Sequence, residues 1–340
     1  MRKIRIAQIG MNQYSHGKQV FDALKSRPDL FEIAGYALVE DERETCAGRL
    51  KYFAGYPELT LEEILTDPTI EAVTVETDEV HLLKYARLAA EHGKQIHMEK
   101  PGSPSLADFE ALIETVRAKG LLFHIGYMYR YNPVVADAIR QVREGRLGEI
   151  HSVEAQMNCR LGEKARAWLS TLPGGMTFYL GCHLIDLVLQ LQGEPLRVLP
   201  LNKSTGESGS DSTDFGMAVL EYPRGHSFIK TTATEWGGFR RRQLVISGSK
   251  GTIEIKPLET VDPEKTSRIF AERRQYDESD TWHTDGRFCR SEPWERYGVM
   301  MEAFAAMVRG ETENPYTYDY ELTLFRTILA CAGQREEKIR

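Results

Sequence analysis

Ile96-His97-Met98-Glu99-Lys100-Pro101 is the stretch on which the reading of the fold turns. Residues 94–98 read as a short buried strand, and an acid, an amine and a proline follow at its carboxyl end. In an open α/β sheet the ligand crevice lies outside the carboxyl ends of the strands. A lysine there can donate to a substrate hydroxyl or carbonyl, and the proline behind it removes a backbone N–H and stiffens the turn. The isomer of that X-Pro bond is open from sequence. The plain alternative is a solvated lysine in an ordinary strand-to-helix turn, so the neighbouring segments decide.

Working back toward the N-terminus, residues 4–9 form a compact β-branched strand followed at once by Gly10. A helix pattern runs from Gly17 through Val20, Phe21 and Leu24 and stops before Pro28. A second strand over 32–39 ends in Glu40-Asp41, and a polar helix is expected to continue through Tyr52. Thr60-Leu61-Glu62-Glu63 has capping-box spacing. Residues 72–75 form another strand, 80–92 a helix closed by Gly93, and Ser105 with Asp108 opens a helix with Leu106, Phe109, Leu112, Ile113 and Val116 on one face. A last strand lies over 121–126. Strands alternating with helices at this spacing predict a doubly wound parallel sheet of Rossmann type, assigned to residues 1–122.

Gly10 stands where a dinucleotide fold makes its tight strand-to-helix turn. The fingerprint G-x-G-x-x-G continues here with Asn12 and Ser15 in place of its second and third glycines. Asparagine tolerates positive φ, although its side chain takes up space needed for close approach of a pyrophosphate. Serine is small enough for the helix to pack on the sheet. A helix N-terminus still offers N–H groups and a positive dipole end to phosphate. Glu40 sits where an acid would grip a ribose 2′-hydroxyl, which favours NAD, while Arg43 nearby keeps NADP open. Thr77 follows the 72–75 strand and is placed to hydrogen-bond the nicotinamide side of the cofactor. His81 begins the next helix.

From Tyr127 the alternation changes. Arg130-Tyr131-Asn132-Pro133 opens a helix, and successive strands are expected over 150–159, 214–221, 227–234, 243–247 and 252–256. This predicts an α+β second domain over 123–340 with a large, mostly antiparallel open sheet. Residues 257–295 are charged and irregular, and helices return over 297–308 and from about Tyr320 to the end, the last able to pack back on the first domain. Within PGGMTFYLGCHLIDLVLQLQG (173–193), Leu180, Leu184, Leu187, Val188 and Leu191 form an apolar helical stripe. Tyr179, His183, Asp186 and Gln190 recur on another face at steps of four, three and four. The plain alternative is a partly solvated face with His183 bonded to Asp186. Cys182 makes no dyad with His183, because adjacent helix residues point about 100° apart. No H-E-x-x-H is present, so no metal site is expected.

The chain has 340 residues, net charge −7, 27% charged and 41% hydrophobic residues, which suits two domains and offers no basic block to track nucleic acid. Five scattered cysteines without a C-x-x-C pair fit reduced thiols. The N-terminus runs straight into a strand, and no run of 18 apolar residues follows, so the expectation is a cytoplasmic protein away from membranes.

Taken in order, the N-terminal strand with Gly10, Thr77 with His81, Glu99-Lys100-Pro101, Arg130 with Pro133, Trp168, Gly174-Gly175, Gly181-x-His183-x-x-Asp186 and Gly248-Ser249-Lys250-Gly251-Thr252 resemble the Gfo/Idh/MocA family of oxidoreductases. The resemblance covers nearly the whole chain. It implies hydride transfer between NAD or NADP and a secondary hydroxyl of a sugar, cyclitol or related polyol. It also implies a homodimer or homotetramer built through the C-terminal sheet. Lys100 matches the family's substrate-orienting lysine and His183 its catalytic histidine. Cofactor contacts are implied for Gly10, Asn12, Ser15, Glu40, Thr77, His81, Glu99, Lys100 and Pro101, and substrate contacts for Arg130, Trp168, Tyr179 and Asp186. In many members an aspartate lies four residues before the histidine; here that position is Tyr179. The departures at Asn12, Ser15 and Tyr179 leave open a non-redox lyase or glycosidase using tightly bound NAD, and a non-catalytic dinucleotide-binding regulator.

Overall fold

The computed structural model describes residues 2–207, 211–261, 268–280 and 282–334. In chain order its elements begin with β1 Ile4–Ile9, α1 Gly17–Lys25, β2 Phe31–Ala37, α2 Glu42–Thr45, α3 Leu61–Thr66, β3 Ala72–Val75, α4 Leu82–Glu91, β4 Gln95–Met98, α5 Leu106–Lys119 and β5 Phe123–Ile125. They continue with α6 Pro133–Arg143, β6 Ile150–Asn158, α7 Glu163–Trp168, α8 Cys182–Gln192, β7 Arg197–Pro200, β8 Phe215–Tyr222, β9 Gly225–Thr232, β10 Gln243–Gly248 and β11 Gly251–Ile255. The last are β12 Thr260–Val261, β13 Ile269–Phe270, β14 Glu272–Asp277, β15 Arg287–Arg290, α9 Gly298–Val308 and α10 Tyr318–Cys331. Two compact units emerge: Met1–Met128 with Tyr297–Leu322, and Tyr129–Arg296 with Thr323–Arg340.

The first unit is a five-stranded parallel sheet in the order β2-β1-β3-β4-β5. All four residues of β3 are buried, as in a sheet covered on both faces, and β-branched residues suit such strands. Val20, Phe21 and Leu24 of α1 and Phe109, Leu112, Ile113 and Val116 of α5 supply the helical side of the core. Thr60 and Glu63 make the capping box that their spacing predicts. The strand order reverses between β1 and β3, which makes the carboxyl ends of those strands the topological switch point where ligands bind.

One local expectation fails. The helix through Tyr52 is a four-residue α2 followed by a 3₁₀ stretch, Ala47–Phe53. Gly48 weakens the helix between them, and Phe53 is drawn inward to stack on Tyr36 at 3.9 Å and edge-on against Phe21 at 4.8 Å. Aromatic packing overrides the polar helical pattern.

The second unit holds an eight-stranded sheet, β15-β14-β11-β10-β6-β9-β8-β7, antiparallel except for the parallel pair β6–β9. Along β8 every second residue is buried, the alternation of a sheet with one covered face. Helix α8 is buried over almost its whole length and packs on β6. The stretch over 257–295 is not wholly irregular: β14 and β15 extend the sheet beyond β11. All six residues of β14 are half-exposed, so an outer strand of this kind carries no apolar alternation to read. Among the described residues no helix is long and apolar enough to cross a membrane, and the five cysteines are free thiols.

Candidate functional site

The first unit gathers its candidates where β1, β3 and β4 end. Gly10 leaves β1 at φ +85°, and a Cβ there would lie 2.7–2.8 Å from Thr77, its backbone included. Only glycine allows that approach, so the tight turn survives the loss of the later glycines. Asn12 does not stand unengaged in the loop. Its Nδ2 donates to Glu79 Oε2 at 3.0 Å and to Asp78 Oδ2 at 3.2 Å, while its Oδ1 accepts from the Tyr14 amide. Ser15 Oγ lies 3.3 Å from the Glu76 carbonyl and accepts from the Gly17 amide, closing the turn at the start of α1. Glu99 Oε2 receives the His16 amide and faces His16 Nδ1, each at 3.2 Å, so the acid of Glu99-Lys100-Pro101 sits at the positive end of α1.

Lys100 is not a solvated lysine: it is 1% exposed. The Lys100–Pro101 peptide is cis. Its Nζ lies 3.9 Å from Glu99 Oε1, and its charge acts on Glu76 and Glu79, both fully buried. Burial raises the Glu76 carboxyl well above the usual range, with Glu99 and Glu79 adding to the rise. Glu79 is pushed up to about 8, again by burial first, with Asp78 and Glu99 adding and Lys100 opposing. For Glu99 burial also works upward, but His16, by charge and hydrogen bond, and then Lys100 overcome it and hold this carboxyl below the ordinary range. Around Lys100, then, one carboxyl is held toward its ionised form, while burial favours the protonated form of the other two. Behind them His97 Nε2 stands 3.5 Å from Glu76 Oε1, and His97 Nδ1 lies 2.6 Å from His124 Nδ1, so one ring donates to the other. Burial pulls His97 down to about 4, against the upward pull of Glu99.

Glu40 lies three residues beyond the end of β2, at φ +50°. Its Oε1 accepts from Lys84 Nζ at 2.6 Å and Tyr85 OH at 2.7 Å, with His81 Nδ1 at 3.8 Å. The Lys84 and Tyr85 hydrogen bonds keep this carboxyl below its usual range. The structure thus brings Glu40 and His81 together, while Arg43 is paired with Glu58.

The second unit carries the other candidates. Arg130 and Asp186, each side chain 1% exposed, form a forked ion pair: Nη2 to Oδ1 at 2.7 Å and Nε to both oxygens at 3.1 Å. Gln190 donates to Asp186 Oδ2 at 3.0 Å. His183 and Asp186 are buried in the middle of this face, while Gln190 stays half-exposed. His183 meets Tyr129 edge to face at 5.2 Å. Tyr129 OH donates to Glu259, whose carboxylate also receives Arg242 at 2.6 Å and Arg296 at 2.5 Å. Burial works against ionised Glu259, but Arg296 and then Arg242 hold it below the usual range.

Tyr179 does not share that buried face. A π turn over Thr177–Gly181 precedes α8, and its wider pitch breaks the four-residue step expected between Tyr179 and His183. Half-exposed Tyr179 packs at 87° on Trp168, 5.2 Å away. Gly175 precedes the turn at φ +47°, and a Cβ there would come within 2.1 Å of the Thr213 carbonyl.

Sequence reasoning passed over Glu76, Glu79, His97 and His124 in the first unit and Tyr129, Arg242, Glu259 and Arg296 in the second. A signal existed for the first two: three acids in four positions, Glu76, Asp78 and Glu79, directly follow an apolar strand. None existed for Glu259, which lies in the charged stretch left unplaced.

Chemically, the first unit presents a buried amine against carboxyls of both protonation states, beside a tight turn and helix start of the kind that receives a dinucleotide. The second presents an imidazole on a rigid, charge-matched framework.

Comparison with known proteins agrees with this division. Residues 4–127 match the family model described as oxidoreductase family, NAD-binding Rossmann fold, and residues 135–254 match that of the GFO/IDH/MocA C-terminal domain. An uncharacterized oxidoreductase of Schizosaccharomyces pombe is 30% identical over 211 residues, 60% of this chain and 56% of that protein, so the match spans just over half of the relative. A D-xylose 1-dehydrogenase (NADP(+)) of Haloferax volcanii is 27% identical over 81% of each chain. Among solved structures, aldose-aldose oxidoreductase from Caulobacter crescentus superposes with a TM-score of 0.78 at 20% identity, covering 98% of this chain and 97% of that one, and it shows the shared fold. The chain belongs to the Gfo/Idh/MocA family of oxidoreductases, with an NAD-binding Rossmann domain at its N-terminus.

Proposed function

We propose that this protein is an NAD(P)-dependent dehydrogenase acting on a secondary hydroxyl of a sugar, cyclitol or related small polyol. The observation that carries the reading is the burial of Lys100 among Glu76, Glu79 and Glu99 at the carboxyl end of β4, on a family domain built to bind NAD. A lysine is sequestered in this way at a cost in desolvation that ordinary surface chemistry does not require. The cofactor, when bound, accepts the hydride. Gly10, Thr77, His81, Glu99, Lys100 and Pro101 are its proposed contacts, with Asn12 and Ser15 shaping the loop and Glu40 the ribose acid.

Lys100 is assigned to donate a hydrogen bond to the reacting hydroxyl and fix its orientation. His183 is assigned to take the hydroxyl proton, a task suited to a neutral imidazole near pH 7. Arg130 and Asp186 keep α8 in place under His183, and Trp168 and Tyr179 are the proposed walls for the substrate. Tyr179 supplies a phenol where the family resemblance implies a carboxylate. That observation favours a second reading, a non-redox enzyme in which NAD stays bound through the cycle.

Fluorescence titration with NADH and NADPH, followed by a sugar and polyol screen at the NADH absorption band, tests both readings. Binding with net NADH production supports the dehydrogenase; substrate conversion with no net NADH supports the second. No binding of either dinucleotide overturns both and leaves a non-catalytic role. We further propose a cytoplasmic homodimer or homotetramer joined through the half-exposed sheet face bearing Phe215, Met217, Val219, Phe228 and Val245. Light scattering after gel filtration should give a mass of twice or four times 38.7 kDa.

A further inference from the structure

The turn after Gly10 uses up many of the donors that such a loop normally turns toward phosphate. The Gly10 amide donates to Ala37 and the Asn12 amide to Glu76; the Tyr14 amide donates to the Asn12 side chain. The His16 amide goes to the Glu99 carboxylate and the Gly17 amide to Ser15 Oγ. Carboxyls crowd the same turn from the β3 side: Asp78 and Glu79 reach Asn12 itself. A ligand carrying two negative phosphates needs a compensating cation here.

Arg49 is in position to be that cation. It lies in the Ala47–Phe53 3₁₀ stretch, half-exposed, and its Nη1 donates to the Asn12 carbonyl at 2.8 Å, with the Ser15 carbonyl at 3.5 Å. The loop's own carbonyls thus hold a guanidinium on the turn between β1 and α1. Other cations of this neighbourhood are matched with carboxylates: Arg43 with Glu58, Lys84 with Glu40 and Lys18 with Asp22. Among the described residues Arg49 forms no ion pair with a carboxylate. A planar guanidinium that spends one N–H on backbone oxygens keeps its remaining N–H groups for a second acceptor, and phosphate oxygens suit that geometry.

We propose that Arg49 binds the pyrophosphate of the dinucleotide and supplies the charge that the altered glycine fingerprint does not. The assignment rests on the dinucleotide reading above and adds a residue to it. It selects the pyrophosphate over a ribose 2′-phosphate because Arg49 touches Asn12 and Ser15 of the turn, whereas Glu40 occupies the end of the second strand.

The test compares wild type with Arg49→Gln and Arg49→Lys, taking dissociation constants for NADH and NADPH by fluorescence and for ADP-ribose and adenosine by calorimetry. Glutamine removes the charge while keeping an N–H donor, and lysine keeps the charge without the guanidinium fork. Arg49→Gln should weaken NADH, NADPH and ADP-ribose alike by about tenfold to a hundredfold, the range of a charged hydrogen bond. Adenosine, lacking phosphate, should bind as in wild type, and Arg49→Lys should recover part of the loss. A loss confined to NADPH would move Arg49 to the 2′-phosphate and overturn the assignment. An equal loss for adenosine, accompanied by a lower melting temperature, would make Arg49 a structural brace and also overturn it. Unchanged affinities with a wild type that binds normally would refute the inference alone. A wild type that binds none of the phosphate-bearing probes would remove the dinucleotide reading and this inference with it.

Discussion

The two units bury charge in opposite ways. In the second, each buried acid of the site has its cation: Asp186 has Arg130, and Glu259 has Arg242 and Arg296. In the first, Glu76, Glu79 and Glu99 are all at least 97% buried around the ammonium of Lys100. The second arrangement is electrically closed and serves to hold α8 and Tyr129 in one geometry. In the first, burial favours the protonated forms of Glu76 and Glu79 around a single ammonium, so its charges are not closed by pairing. An unresolved charge cluster at a switch point is where chemistry is expected; a resolved one is where a scaffold is expected.

That contrast can be broken most directly at Lys100. Lys100→Ala should lower turnover of a proven substrate by about a hundredfold to ten-thousandfold. It should leave the melting temperature at pH 6 close to wild type, because the neighbouring carboxyls can take up protons. Unchanged turnover would refute the assignment, and wholesale unfolding would show that the first unit's charges are as structural as the second's.

Asp186→Ala asks the complementary question. It leaves Arg130 buried without its carboxylate, so urea denaturation should show a loss of about 3–5 kcal/mol. An Arg130→Met, Asp186→Leu double variant should recover most of that stability, since it removes both charges together. If Asp186→Ala were neutral, the second unit would not be the closed framework described.

Gly10→Ala tests the turn on which the first cluster rests. With φ at +85° and Thr77 within 2.8 Å, the added methyl should cost about 2 kcal/mol, again read by urea denaturation. It should also abolish dinucleotide binding.

The mildest effect is in the pH dependence. Glu79 titrates at about 8 in the fold against 4.5 for an ordinary glutamate, so between those values the folded chain binds more protons than the unfolded one. Stability contributed by this group therefore falls as pH rises from about 4.5 to about 8 and then levels. His97, lowered from 6.5 to about 4, has the opposite sign and loses stability as pH falls through that window. Thermal unfolding across pH 4–9 should thus differ between wild type and Glu79→Gln by an amount that changes through pH 4.5–8. A constant offset would mean that Glu79 is already ionised throughout.

Much of this molecule was legible beforehand. β1 and β3 fall on the residues their β-branched runs predict, and Thr60 and Ser105 cap helices as their spacing requires. Lys100 and His183 stood out by register with a family pattern. The π turn was not legible, because leucines at helical spacing look the same on either side of a widened turn. Nor were β14, half-exposed throughout, and β15, fully exposed, neither of which shows an alternation of buried and exposed residues. Arg49 lies in a stretch whose sequence reads only as a polar helix, with nothing to single it out.

By itself the sequence determined the periodicities, and with them the parallel sheet, its crossover helices and the strand ends at which Gly10, Thr77 and Lys100 stand. These are local properties, set by side-chain alternation and backbone preference within a few residues. Which charges are matched was decided only in three dimensions. Glu76 and Glu99 are 23 positions apart, Asp186 and Arg130 are 56, and Arg49 and Asn12 are 37. Burial and pairing at such separations depend on how strands are ordered and helices laid over them. For that reason the same residue types make a cluster of unmatched carboxyls around one ammonium in one unit and a neutralised framework in the other.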